Sequence, residues 1–176
     1  MGFFTAFTTV MVPHVSQIIQ DGNKEKLQGI LNSTISVLLL VSVPMILACE
    51  LLAPWIINII AGPGYEGAII PFRIVICLLL VIGMEQIIIQ QFLMSNNSNK
   101  SVFQVSTCGA IVAITLNFLI TPQLGAIGSS IAWGCSEVAV LITGVYLMKK
   151  NMGLNIEIRN ISFKNVSVNI LRWKKK

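Results

Sequence analysis

The sequence predicts an all-α membrane protein, a polytopic transmembrane helical bundle of about five spans. Hydrophobic residues make up 55% of the 176 residues and charged residues only 11%, whereas a soluble domain usually carries about 25% charged residues. The apolar residues occur in runs of about 20 with short polar breaks between them, which is the pattern of membrane-spanning helices. Membrane β-barrels instead show alternating segments of about ten residues, and this sequence has none.

Five apolar segments are close to or above the ~17–25 residues that a helix needs to cross a bilayer. The first is the weakest, because polar side chains such as His14 dilute it. The second contains Pro44 and Pro54, which are expected to kink or end the helix because proline lacks a backbone donor. The predicted spans cover about residues 3–19, 31–60, 69–94, 102–120 and 126–148.

The positions of the basic residues predict the orientation of the spans. Eleven of the twelve basic residues lie in the first break, the third break and the C-terminal tail, and Arg73 beside the second break is the exception. Because cytoplasmic loops are enriched in lysine and arginine, these three regions are expected on the cytoplasmic side. Residues 1–150 are thus predicted to form the helical bundle and residues 151–176 a basic cytoplasmic tail. Two alternatives stay open for the tail, a segment lying on the anionic leaflet or a disordered chain.

A stripe of small residues marks the last predicted span. Gly128, Ala132 and Ser136 recur every four residues, a spacing that puts them on one side of a helix. Small side chains let helix backbones approach closely within a membrane. The sequence therefore predicts that this half of the span packs against protein.

Two carboxylates lie deep within predicted spans. Glu137 follows Ala126 by eleven residues, which corresponds to about 16 Å along a helix, and Glu85 precedes Met94 by nine residues, or about 14 Å. Both depths are near the middle of a hydrocarbon core of about 30 Å. A carboxylate there is costly unless it is paired, protonated or facing a wet cavity. Each therefore forms either a structural hydrogen bond between helices or part of a polar path, and Gln86 and Asn117 are further polar groups within predicted spans.

The sequence predicts neither an enzyme nor a metal or cofactor site. Motifs such as the phosphate-binding P-loop and the zinc-binding HExxH sequence are absent. The four cysteines all lie within apolar segments and form no CxxC pair, so they are interpreted as small packing residues. No predicted soluble module could present a surface to nucleic acid.

Three stretches together resemble the polysaccharide-flippase family, the exporters of lipid-linked O-antigen and capsule repeat units. This family belongs to the multidrug/oligosaccharidyl-lipid/polysaccharide exporter superfamily. The resemblance covers about residues 10–150. The stretches are "VMVPHVSQIIQDGNKEKLQGIL" (residues 10–31), "VSVPMILACELLAPWIINIIAGPGYEGAIIPFRIV" (residues 41–75) and "LNFLITPQLGAIGSSIAWGCSEV" (residues 116–138).

The resemblance implies the C-terminal lobe of a twelve-helix exporter of the bacterial inner membrane, working by alternating access. The implied cargo is an undecaprenyl-diphosphate-linked oligosaccharide for polysaccharide or lipopolysaccharide biosynthesis, and membrane lipids are the surrounding partners. A midplane cavity would receive the sugar headgroup, with Glu85, Gln86, Asn117 and Glu137 as candidate lining residues. His14 stands where many relatives have an arginine after the proline, which is a departure from the family's pattern.

The sequence also allows other interpretations of the extent and the function of the chain. The chain is either a C-terminal half that works with a separately encoded N-terminal half or a truncated reading frame. A drug or cation antiporter of the same superfamily is the alternative within transport, with a midplane carboxylate exchanging protons for cations. The alternative outside transport is a membrane remnant or assembly subunit whose glutamates are structural.

Overall fold

The computed structural model describes residues 12, 13 and 15–156, and these form helices and turns without any strand. Three of the helices are long and apolar enough to cross a membrane. The all-α helical bundle predicted from the sequence is therefore confirmed. After a short helical stretch at residues 15–20, the long helices are α1 (Lys24–Ala61), α2 (Ile69–Gln86) and α3 (Asn99–Met152).

Helix α2 has irregular turns at both ends. A short 3₁₀ helix, Glu66–Ala68, leads into it, and a π-helical segment, Ile87–Leu93, follows it. The π geometry is visible where Met94 N donates to Ile89 O at 2.9 Å, five residues back. Segments of π-helix are rare and are frequently found at functional sites. Helix α1, by contrast, continues through both prolines to Ala61, so it does not end at Pro54 as the sequence allowed.

Helix α3 consists of two antiparallel arms, residues 99–124 and 126–152. Between them Gly125 has φ 56° and ψ −131°. This conformation is not helical, and its positive φ favours glycine. The arms contact each other along their length, since Thr143 Oγ1 donates to Cys108 Sγ at 3.4 Å and Asn151 Nδ2 donates to Ser101 Oγ at 2.8 Å. A straight helix of this length would measure about 81 Å, far more than a hydrocarbon core of about 30 Å. The glycine therefore turns the chain back toward its starting side.

Helix α2 lies between α1 and the second arm of α3. It packs against both helices, whereas α1 and α3 have few direct contacts. Close approach to α1 occurs where Gly83 faces the side chain of Leu38, and close approach to the second arm occurs where Leu78 faces Gly134. The first arm packs along the second arm, where Gly109 faces the side chain of Val140.

The buried core is concentrated at one end of the bundle. Phe92, Leu93, Leu31 and Met148 are fully buried there, whereas apolar side chains such as Leu51 toward the opposite end are widely exposed. We call the compact end the basic end, because five exposed lysines surround it: Lys24, Lys26, Lys100, Lys149 and Lys150. We call the opposite end, which contains the turns at residues 62–67 and 125, the open end.

The start of the predicted tail packs against the bundle. Leu154 is 2% exposed, and Asn155 N donates to Gln28 Oε1 at 3.1 Å. Helix α3 ends at Met152, after which Gly153 adopts the left-handed conformation with φ 67°. Residues 157–176 and most of the first predicted span, 3–19 with His14, lie outside the described residues, so the five-span count and the state of the tail remain predictions.

Candidate functional site

Two membrane carboxylates meet between α2 and the second arm of α3. Glu85 lies in the last turn of α2, and its carboxyl group faces that of Glu137 within hydrogen-bonding range. Such a bond requires a proton on one of the two groups. Glu85 Oε2 is buried and accepts no hydrogen bond from an N–H or hydroxyl group of the described residues. The structure thus brings together the two carboxylates that the sequence placed at similar depth.

Trp133 forms a hydrogen bond with one member of this pair. Its indole Nε1 donates to Glu137 Oε1 at 2.6 Å, and the two residues lie four positions apart on the second arm. That spacing places two side chains next to each other on a helix surface. Trp133 was not among the residues predicted from the sequence, although the spacing in "WGCSE" carried the signal.

Small residues allow the two helices to come close enough for the carboxyl groups to meet. A Cβ atom added to Gly134 would lie 3.2 Å from Leu78 Cδ2, and one added to Gly144 would lie 3.4 Å from Ile88 Cγ2. Both glycines are buried on the side of the second arm that faces α2 and its π-helical extension. The contacts before and after Glu137 therefore hold its backbone against α2.

The predicted packing stripe is buried, and its members have different neighbours. Ala132 is completely buried. A Cβ atom on Gly128 would lie 2.8 Å from Ile120 O of the first arm, so this glycine serves the turn between the arms. Ser136 Oγ donates to Trp133 O at 2.7 Å, within its own helix.

Two glutamines on α2 and its π-helical extension carry polar groups without partners among the described residues. Gln86 Oε1 is buried and unpartnered among the described residues, directly after Glu85 in the sequence. Gln91, one turn further on, is completely buried in the π-helical segment, and both its Oε1 and its Nε2 atom lack partners there. Most buried polar groups in proteins are hydrogen-bonded. This stretch of α2 and its extension therefore carries an unusual amount of unsatisfied hydrogen-bonding capacity.

Asn117 stands apart from this group. Its Nδ2 donates to Ala113 O at 2.9 Å, and its Oδ1 accepts from Thr121 Oγ1 at 2.9 Å. Both partners belong to the first arm, on which Asn117 itself lies. The structure therefore brings together Glu85, Gln86 and Glu137, whereas the hydrogen bonds of Asn117 in the described chain stay within its own arm.

A second polar group lies nearer the open end. Arg73 of α2 forms an ion pair with Glu50 of α1, with 3.6 Å between Nε and Oε2. Cys77 Sγ donates to Glu50 Oε1 at 3.3 Å. The two charged residues are therefore paired with each other. They link α1 to α2 on the open-end side of Glu85 and Glu137.

The described residues contain no group of three or more histidine, cysteine or acidic side chains that could hold a metal ion. The cysteines described, Cys49, Cys77, Cys108 and Cys135, are all unpaired thiols. The chemistry that this arrangement offers is hydrogen bonding, proton exchange and charge pairing inside an apolar bundle.

Comparison with known families gives a match that spans almost the whole chain. Residues 2–171 match the family described as "Lipid II flippase MurJ", a transporter family of the same exporter superfamily that the sequence stretches resemble. The superfamily is thereby confirmed, whereas the match does not support the polysaccharide-flippase family in particular. No curated protein and no solved structure matches the chain. With its membrane-spanning helices, this multi-pass membrane protein belongs to the MurJ lipid II flippase family.

Proposed function

We propose that this chain forms part of a flippase that moves lipid II, a prenyl-diphosphate-linked glycan precursor, across the bacterial inner membrane. The family match supports a lipid-linked precursor as the cargo. The observation that carries the proposal is the meeting of Glu85 and Glu137, with a buried oxygen of Gln86 that has no partner among the described residues next to them in the sequence. These groups are expensive in hydrocarbon, and a polar headgroup crossing the membrane needs partners of this kind.

A path for a glycan through the membrane must supply hydrogen-bonding groups, and this requirement supports the same interpretation. A glycan in hydrocarbon would leave many hydroxyl groups without hydrogen bonds, each at a cost of about 4–8 kcal/mol on alkane transfer scales. Carboxylates accept hydrogen bonds from hydroxyls, and amides both accept and donate. Glu85, Gln86 and Glu137 thus offer replacement partners at the depth where water is most strongly excluded. Asn117 is proposed as a lining residue only if the path extends to the first arm.

The mechanism proposed is alternating access, in which two groups of helices rock around a polar site near the midplane. In this mechanism the compact basic end holds the helices of this chain together as one group. The loosely packed open end offers exposed surface to the second group of helices. We place the basic end and the C-terminus in the cytoplasm because the five lysines gather there.

The test is a reconstituted translocation assay with the protein and any partner that co-purifies with it. Proteoliposomes would contain lipid II with a fluorescent headgroup, and a membrane-impermeant quencher would report the fraction on the outer leaflet over time. We expect the protein to accelerate exposure of lipid II relative to protein-free vesicles. The proposal is wrong if the rates are equal while the protein is folded and inserted.

Parallel arms with other cargoes separate the alternatives. Faster movement of a lipid-linked O-antigen repeat unit than of lipid II would favour the polysaccharide flippase. Uptake of a fluorescent cation driven by a proton gradient, with neither lipid moved, would favour the antiporter. Inactivity toward all three would favour a non-transporting membrane subunit.

A further inference from the structure

We propose that Trp133 is a stacking surface for a sugar ring of the cargo headgroup and that Glu137 beside it accepts hydrogen bonds from the sugar hydroxyls. This inference rests on the proposed function and adds a specificity-determining residue to it. It starts from the 2.6 Å hydrogen bond between Trp133 Nε1 and Glu137 Oε1. Trp133 is 37% exposed even though Ala132 and Gly134 on either side are buried.

The depth of Trp133 distinguishes it from an interfacial anchor. Tryptophan is enriched at the headgroup level of membranes, and Trp55, which is 72% exposed six residues before the end of α1, fits that role. Trp133 follows the Gly125 turn by eight residues, or about 12 Å along a helix. It therefore lies below the headgroup level, where an exposed indole N–H needs a local partner.

The position of Glu137 in the membrane indicates what the exposed side of Trp133 faces. A carboxylate that faced lipid at this depth would be costly. The surface shared by Trp133 and Glu137 is therefore expected to face a polar path or protein rather than hydrocarbon. Within the described chain, Glu85 is the charged neighbour of Glu137 from α2.

The chemistry of this surface fits a sugar. An indole ring offers a flat apolar face with a negative quadrupole, which attracts the weakly positive C–H groups on one face of a pyranose ring. The hydrogen bond to Glu137 fixes the orientation of the indole. A carboxylate has about four lone-pair sites, so Glu137 can hold the indole N–H and still accept from hydroxyl groups.

The test uses Trp133 as the only tryptophan, in the otherwise complete protein carrying Trp55→Phe and Trp173→Phe. Its fluorescence would be followed in detergent during titration with lipid II and, separately, with undecaprenyl diphosphate, which has the same lipid and diphosphate but no sugar. We expect a saturable change with lipid II and none with undecaprenyl diphosphate. Equal responses to both lipids would overturn the inference, because the indole would then be sensing the lipid rather than the sugar.

Substitutions give a second measurement. Trp133→Leu should weaken lipid II binding by about five- to tenfold, Trp133→Phe should weaken it less because a ring remains, and both should leave undecaprenyl diphosphate binding unchanged. Trp55→Leu is the matched control and should leave both affinities unchanged. Equal loss of both affinities in Trp133→Leu would assign Trp133 a purely structural role and overturn the inference.

The outcomes also separate this inference from the proposed function. If lipid II is bound and moved but Trp133 does not respond to it, only the sugar contact is wrong. If the folded protein does not bind lipid II, the proposed function is wrong, and the contact with the sugar of that cargo is overturned with it.

Discussion

Two glutamines in this protein show how differently one side chain type can be accommodated. Gln28 of α1 donates to Asn32 Oδ1 at 3.1 Å and to Asn155 O, and it accepts from Asn155 N. Gln91 is completely buried, and its amide has no partner in the described part of the chain. Burying a polar group without a hydrogen bond costs free energy, whereas a bonded one contributes. The two residues should therefore respond oppositely to the same substitution.

Replacing each glutamine by leucine tests this contrast. Gln91→Leu should raise the thermal unfolding midpoint in detergent, by the equivalent of about 1–3 kcal/mol, because an unpaired amide is removed and the volume is nearly kept. Gln28→Leu, the control, should lower the midpoint because Asn155 loses its partners. A lower midpoint for Gln91→Leu would show that its amide has a partner, such as water, in the membrane.

The carboxylates show what the sequence could predict at this scale. The depth of Glu85 and Glu137 followed from counting residues at a fixed helical rise. That they face each other did not follow, because it depends on how each helix is rotated about its axis. Rotation is set by close contacts such as Leu78 on Gly134, which join residues far apart in the sequence. The bond from Trp133 was readable in principle, because it is local.

At the scale of the helices, glycine decides where α3 turns and how closely its arms pack. Gly125 turns the chain, and three residues later the backbone of Gly128 lies against Ile120 O. The short polar break between the fourth and fifth predicted segments, with its proline and glycine, predicted this turn. The π-helical segment was not predicted, because the run "IIIQQFL" has nothing that distinguishes it from an ordinary helix.

Alanine substitutions at two helical glycines test the role of Gly128. Gly128→Ala should lower folded yield and the unfolding midpoint, because its Cβ atom would lie 2.8 Å from a backbone oxygen that cannot move freely. Gly29→Ala in α1 is the matched control, since nothing lies within 4 Å of its added Cβ atom. Because alanine favours helix over glycine by about 1 kcal/mol, Gly29→Ala should be neutral or stabilising. Equal midpoints for the two variants would contradict this packing of the turn.

At the scale of the whole molecule, charge and packing are both asymmetric. The five lysines of the described chain lie at the same end as the buried core, and the open end is poor in charge apart from Glu66 and the ion pair of Arg73 with Glu50. The sequence predicted the alternation of basic breaks, which follows from the order of the segments. It did not predict that most of the buried core would lie at the basic end, since burial depends on how far the helices separate.

Cysteine accessibility tests the orientation of the molecule. In a background lacking the native cysteines, we expect a membrane-impermeant thiol reagent added outside cells to label Glu66→Cys and not Lys100→Cys. The physical reason is that basic loops are retained in the cytoplasm. After permeabilisation both positions should be labelled, since both are exposed. Labelling of Lys100→Cys in intact cells would reverse the proposed orientation.

The central claim is that Glu137 belongs to the path of a lipid-linked precursor. The most direct measurement is lipid II translocation by the Glu137→Gln variant, normalised to the amount of protein in the membrane, with Glu66→Gln in the exposed turn as the control. Glutamine keeps the size and most hydrogen bonds but cannot carry the charge. We predict normal abundance for both variants and a loss of translocation by about tenfold or more, or ~1.4 kcal/mol, for Glu137→Gln alone. Full activity of Glu137→Gln would contradict the account and leave Glu137 as a structural link between helices.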